Sequence, residues 1–246
     1  MERYSYNMKK IKKKIYEVDL YKPVQQYFSH LGYEVRGEVN HCDMVAIKDN
    51  ELIIIELKRT LTIELLIQAT KRQRLTDQVY VAIPKPTYSL FSKKWRDICH
   101  LLRRLEVGLI LVTFDEEGGS VDSKLSPAPF DRIKSMQRSK KKREKLLTEV
   151  KERHGDYNIG GSTKTKLITA YKQTCIHIAC CLKRYGPLSP KALREKGTGD
   201  KTLSVLTKNY YGWFEKISRG TYTISALGKE ELHTYPDLIS YYEELL

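Results

Sequence analysis

The sequence predicts an α/β protein: a mixed sheet flanked by helices, followed by a smaller helical region that ends in a hairpin. Three observations lead there. Helix-period and strand-like apolar segments alternate through residues 15–114. The stretch "CDMVAIKDNELIIIELK", residues 42–58, sets two apolar runs on either side of Asp49-Asn50, residue types that tolerate the left-handed backbone of a tight hairpin. Beyond the middle of the chain, three helix-period segments give way to "WFEKISRGTYTIS", a second hairpin turning at Arg219-Gly220.

In "LYKPVQQYFSHLGYEV", Leu20, Val24, Phe28 and Leu31 recur at helical spacing, with Asp19 as the cap, Pro23 in the first turn and Gly32 as the stop. Strands follow at 34–39, 43–48 and 51–58, a helix at 63–75, a strand at 78–83, a helix at 93–105 and a strand at 108–114. The order α-β-β-β-α-β-α-β implies a mixed sheet with helices against it. Further on, "KTKLITAYKQTCIHIACCLKRYG" reads as one long helix. "SPKALREKG" opens with a Ser189 cap and Pro190 at the first helical position, and "GDKTLSVLTKNYYGWF" holds a third helix. Three helices closed by a hairpin describe a winged helix-turn-helix.

The chain of 246 residues, 41% hydrophobic, is long enough for one large or two modest domains with a real core. Its net charge of +14 points to a polyanionic partner, and nucleic acid is favoured over an acidic membrane surface. Residues 1–130 carry 21 Lys and Arg against 17 Asp and Glu, while 131–246 carry 23 against 13, so most of the excess lies in the second half. Three regions are expected: a domain at 1–130, a basic linker at 131–162 and a winged-helix-like domain at 163–246. The opening lysines precede no apolar signal core, and no run of about 18 apolar residues occurs, so a soluble, cytoplasmic protein without a membrane partner is expected. Five cysteines without CxxC spacing read as buried thiols, not as a zinc site.

If Asp49-Asn50 form a symmetric turn, facing residues have numbers that add to 99, which sets Asp43 opposite Glu56. Directly opposed side chains stand roughly 5 Å apart between Cβ atoms, and two carboxylates so placed repel unless something positive lies between them. Glu56 and Lys58 share a face by strand alternation, with Leu57 on the other. Two hard carboxylates suit Mg²⁺, which keeps waters and phosphate oxygens as its remaining ligands, and a lysine beside them can orient a water. The chemistry implied is metal-assisted hydrolysis of a phosphodiester. The same spacing also fits two strand-end acids and a lysine in an ordinary ion pair.

The helix, then "GEVNHCD" with Glu38 and Asp43, then "IIIELK" with Glu56 and Lys58, resembles the PD-(D/E)XK nuclease superfamily. More closely, "EVDLYKPVQQYFSHLGYEVRGEV", "ELK", "QATKRQRLTDQVYVAIPKP", "GDYNIGGSTKTKLITAY" and "NYYGWFEKISRGTYTISALG" together are similar to a bacterial family described as PD-(D/E)XK-type phosphodiesterases, over about residues 15–235. The resemblance implies a restriction-endonuclease-like core and Mg²⁺ as cofactor, with Mn²⁺ able to substitute. It also implies Asp43 and Glu56 as metal ligands, Lys58 as the catalytic lysine, and Glu17 of the first helix as a further metal ligand, with Glu38 a weaker candidate. Gln68 is expected at the catalytic site and Arg72 at a phosphate, although with Glu64 they also fit a solvated polar stripe. Cys42 stands where the motif has proline, a small departure because proline is not a ligand. Many such nucleases pair to cut both strands, so a homodimer is within the expectation.

In the third helix and the second hairpin, Lys201, Thr202, Ser204, Lys208, Asn209 and Arg219 are candidates for bases or phosphates, and Lys140, Lys141, Lys142, Arg143 and Lys145 form a further basic cluster. Tyr210, Tyr211, Trp213 and Phe214 read as core more than as stacking platforms, and Gly160-Gly161-Ser162 lacks the motif of a nucleotide-binding loop. The expected function is metal-dependent cleavage of nucleic acid, DNA ahead of RNA. The alternative is a catalytically inactive DNA-binding or regulatory protein on a nuclease-like core. A protein-docking module is a third reading.

Overall fold

The computed structural model describes residues 14–114, 118–162 and 165–246. They divide into two compact units, one ending at Arg132 and the other starting at Ile133.

In the first unit, α1 (Glu17–His30) starts earlier than its apolar spacing suggests. Asp19 is not the cap. It sits in the first turn, where Oδ2 accepts the Tyr16 N–H at 2.7 Å. The earlier start puts Pro23 past the first turn and leaves Leu31 outside the helix as an exposed end residue, while Gly32 stops the chain's helical course at φ 87.

β1 (Glu34–Val39), β2 (Cys42–Lys48) and β3 (Glu51–Leu57) form an antiparallel meander. Then come α2 (Ile63–Arg72), capped by Thr62, β4 (Gln78–Pro84), α3 (Lys93–Arg104), capped by Ser92, and β5 (Gly108–Phe114). These bounds lie within a few residues of the predicted ones. β6 (Gly119–Leu125) is an addition. Its half-exposed "GSVDSKL" carries too little apolar pattern to mark a strand, and it is held as the antiparallel edge beside β5. A Cβ at Gly119 would collide with the Pro23 ring, so glycine is what lets this edge approach α1.

The six strands lie in sequential order, with β3, β4 and β5 mutually parallel and the rest antiparallel. Leu20, Val24 and Phe28 of α1 cover one face through Met44, Ala46, Ile53, Ile55 and Leu57. Leu65 and Ala69 of α2, with Trp95, Cys99 and Leu102 of α3, cover the other through Val79, Val81, Leu109 and Leu111. β3 is therefore buried on both sides, which explains its unbroken apolar run. This mixed α/β architecture agrees with a restriction-endonuclease-like core.

α4 (Arg132–Gln137) lies at the boundary. α5 (Lys140–Glu152), the basic stretch, belongs to the second unit. Glu149 Oε1 accepts the Ala170 N–H at 2.9 Å and Gln173 Oε1 accepts the His154 N–H at 2.7 Å, so α5 and its exit are tied to α6 (Ala170–Tyr185). α6 begins at a Thr169 cap, later than the sequence pattern indicates, because the threonine oxygen accepts the Lys172 N–H. The expected start at Lys164 lies outside the described residues.

α7 (Pro190–Glu195), capped by Ser189, and α8 (Thr202–Lys208), ended by left-handed Asn209, follow. The hairpin of β7 (Phe214–Ser218) and β8 (Thr221–Ile224) turns at Arg219-Gly220, where Gly220 takes φ 77. Two helices are not evident from the sequence pattern: α9 (Ala226–Leu232), capped by Ser225, and α10 (Pro236–Leu245), whose Leu238 and Tyr242 join the core around α6. Trp213 and Phe214 are core residues, as expected, whereas Tyr210 is exposed. All five cysteines are free and buried, and no described helix is long and apolar enough to cross a membrane.

The core of this unit encloses a cation. Lys172 is 4% exposed, and its ammonium lies 3.3 Å from the Tyr211 ring centroid, 4.3 Å from that of Trp213 and 5.3 Å from that of Tyr235. Ring quadrupoles supply the negative potential that a carboxylate would otherwise provide, worth about 2 kcal/mol when desolvated. Lys172→Ala, which also deletes the buried stem, should lower stability by about 2–4 kcal/mol in urea unfolding. Lys172→Met, which keeps the stem, should lose less.

Candidate active site

The hairpin register decides which side chains meet. Lys48 pairs with Glu51, Ala46 with Ile53 and Met44 with Ile55, as the symmetric turn requires, with Asp49 left-handed at φ 52. The next step of that register sets Asp43 against Glu56. There Asp43 Oδ2 accepts the Leu57 N–H at 2.8 Å, so the carboxylate takes a backbone amide of the facing strand and is fixed in place.

Alternation along β3 sends Ile53, Ile55 and Leu57 towards α1, and Ile54 and Glu56 to the opposite face, where α2 lies. Glu56 is 1% exposed. Burial pushes its carboxyl above the usual range. The charge and hydrogen-bonding contact of Asp43 push the same way, and the Arg72 guanidinium opposes both. Arg72 Nε donates to Glu56 Oε1 at 2.6 Å, and Nη2 donates to the carbonyl of His41 in the β1–β2 turn. The bond to Glu56 raises the pKa of Arg72, and burial raises that of the neighbouring Cys42 thiol.

Three of the expected site residues have protein partners of their own. Lys58 follows β3, but its Nζ donates to Glu17 Oε2 at 3.3 Å, and the cation on the buried acid is Arg72. Glu17, expected as a metal ligand, is the partner of Lys58. It can reach it because α1 starts at residue 17 itself. Lys58 also lies near Glu64, whose carboxyl is held below its ordinary range by hydrogen bonds from its own backbone and from Thr62, with Lys58 adding to them. Arg72, expected at a phosphate, is committed to Glu56 and His41.

Gln68 is exposed on α2, and its side chain makes no hydrogen bond among the described residues. Glu38 is exposed with a left-handed backbone, φ 54. In the second unit Lys201 is engaged by Glu152 at 2.7 Å, whereas Lys208 and Arg219 are exposed. The inward role of Arg72 had a signal in the sequence: it follows Leu65 and Ala69 at positions i+7 and i+3, on the helix stripe that faces the sheet.

For a metal, the useful atoms are those without a protein donor. Asp43 and Glu56 are each anchored by an N–H through one oxygen, and no N–H among the described residues reaches Asp43 Oδ1 or Glu56 Oε2. No group of three or more His, Cys, Asp or Glu converges among the described residues. The pair thus offers two hard oxygen ligands and leaves other positions to water and phosphate, the pattern that suits Mg²⁺.

A family model described as "Putative PD-(D/E)XK phosphodiesterase (DUF2161)" matches residues 110–231. This match supports membership of the PD-(D/E)XK superfamily. The match runs from β5 into α9, so the Asp43–Glu56 pair, on β2 and β3, lies outside the matched residues. No curated protein and no solved structure matches the chain. Membership supports a nuclease or phosphodiesterase as the kind of activity.

The raised carboxyl of Glu56 gives a pH signature of this site. An acid whose pKa is higher folded than unfolded binds its proton more tightly in the native state, so stability falls as pH rises from about the ordinary value of 4.5 through the folded value. Glu56→Gln cannot titrate. In EDTA, urea unfolding at pH 4 and pH 7 should show the stability difference, variant minus wild type, moving in the variant's favour at the higher pH.

Proposed function

We propose that the chain is a divalent-metal-dependent nuclease that hydrolyses phosphodiester bonds of nucleic acid, with DNA as the favoured substrate. The observation that carries this reading is the Asp43–Glu56 pair: two carboxyl groups in contact at the end of a buried strand, one almost without solvent, their remaining oxygens reached by no N–H among the described residues. A bound Mg²⁺ or Mn²⁺ would supply Lewis acidity and lower the pKa of a coordinated water. Asp43 and Glu56 hold the ion. Lys58 orients the water or meets a phosphate oxygen. Its bond to Glu17 is half-exposed and long, an ion pair weak enough to be given up when a polyanion arrives.

Within the second unit α6, α7 and α8 are followed by the β7–β8 hairpin, the order of elements in a winged helix, and the unit carries most of the positive excess. In this reading α8 and the hairpin deliver nucleic acid. Lys208 and Arg219, exposed on these two elements, contact phosphates, while Lys201 contributes once released from Glu152.

One observation favours a second reading, a DNA-binding or regulatory protein that does not cut: the buried acid already has a cation in Arg72, and Lys58 is turned to Glu17. Incubation of labelled DNA with the protein and Mg²⁺ or Mn²⁺ separates the two. Cleavage is expected, and Asp43→Asn and Lys58→Ala should each reduce its rate roughly a hundredfold or more without loss of fold. Tight binding with no nick in either metal would select the second reading. Lys208→Ala and Arg219→Ala should each weaken DNA binding and reduce the slope of log K against log salt by roughly 1, as titrations over a salt series would show.

A further inference from the structure

The charged side chain that the site uses but the metal reading leaves without a task is Arg72. A buried carboxylate can be satisfied from many directions, and the direction decides which oxygen stays available. Arg72 approaches Glu56 from the α2 side and takes Oε1 through Nε. With Nη2 it holds the His41 carbonyl, in a turn where Asn40 and His41 have φ 48 and 66. Non-glycine residues adopt such angles at a cost, and they persist only where the surroundings impose them. Two bonds from one planar guanidinium therefore join α2, the end of β3 and the β1–β2 turn, a geometry that an ammonium cannot reproduce.

On the other side of the pair, Asp43 is fixed through Oδ2 by the Leu57 amide. Each acid is thus held by one oxygen and presents the other.

We propose that Arg72 is the positioning residue of this site: by fixing Glu56 through Oε1 and the adjoining turn through His41, it presents Glu56 Oε2 together with Asp43 Oδ1 to a dication. This role rests on the metal reading above. Arg72 does not touch the ion. It acts as the outer partner of a ligating carboxylate, and removal of such partners typically weakens metal affinity about 10–100-fold. Its bond to Glu56 also lets the site keep its shape before the metal arrives.

Mn²⁺ binding to the full chain, measured by isothermal titration calorimetry and by the electron paramagnetic resonance signal of the free ion, tests the role without relying on activity. The wild type should bind and Asp43→Asn should not. Arg72→Gln should bind about 10–100-fold more weakly, and Arg72→Lys, which keeps the charge but loses the fork, should recover only part of that loss. Circular dichroism without metal identifies any variant that has not folded. If Arg72→Gln fails there, Arg72→Lys decides.

A folded Arg72 variant that binds Mn²⁺ as tightly as the wild type, or more tightly because a competing cation is gone, overturns the positioning role and leaves the metal reading standing. A wild type that binds no Mn²⁺ overturns the metal reading, and the role of Arg72 with it.

Discussion

The pairing register of β2 on β3 is the constraint on which the candidate site depends. A slip by one residue would carry one acid to the opposite face of the sheet, because side chains alternate with a period of two. The two-residue turn at Asp49-Asn50 fixes the count, and the apolar residues enforce it: Met44, Ala46, Ile53 and Ile55 must face α1 together. Hydrophobic burial along the hairpin thereby determines the position of two charges at its end. The energy that holds the acids in contact comes from the core behind them, a common means by which a fold supports an arrangement that is locally unfavourable.

Much of this is legible in the sequence for a physical reason. Turn chemistry and period-two alternation are local, and both point to the same register, so the opposition of Asp43 and Glu56 can be counted from the residues alone. Helix caps of the ordinary kind at Ser92, Ser189 and Thr62 are equally readable or close to it. The start of α1 is not. Asp19 is a plausible cap by residue type, but its carboxylate accepts the Tyr16 amide three residues back, which puts it inside the first turn. β6 and α10 carry weak patterns because each covers an edge or a flank of something already formed.

The partners of the charged groups are the least legible part. Sequence spacing places Lys58 on the same side as Glu56, but a long flexible side chain at the end of a strand is free of that alternation, and Lys58 pairs with Glu17. Arg72 lies sixteen positions from Glu56, a separation no local rule connects. The family match over the later part of the chain supports the kind of chemistry and leaves these pairings to the geometry.

Arg72 has one more consequence. A guanidinium already balances the most buried carboxylate, so the first unit carries a counter-ion of its own. Small zinc domains, by contrast, take theirs from the metal and collapse when a chelator strips it. Under the function proposed above, a dication would enter a frame whose most buried carboxylate is already paired.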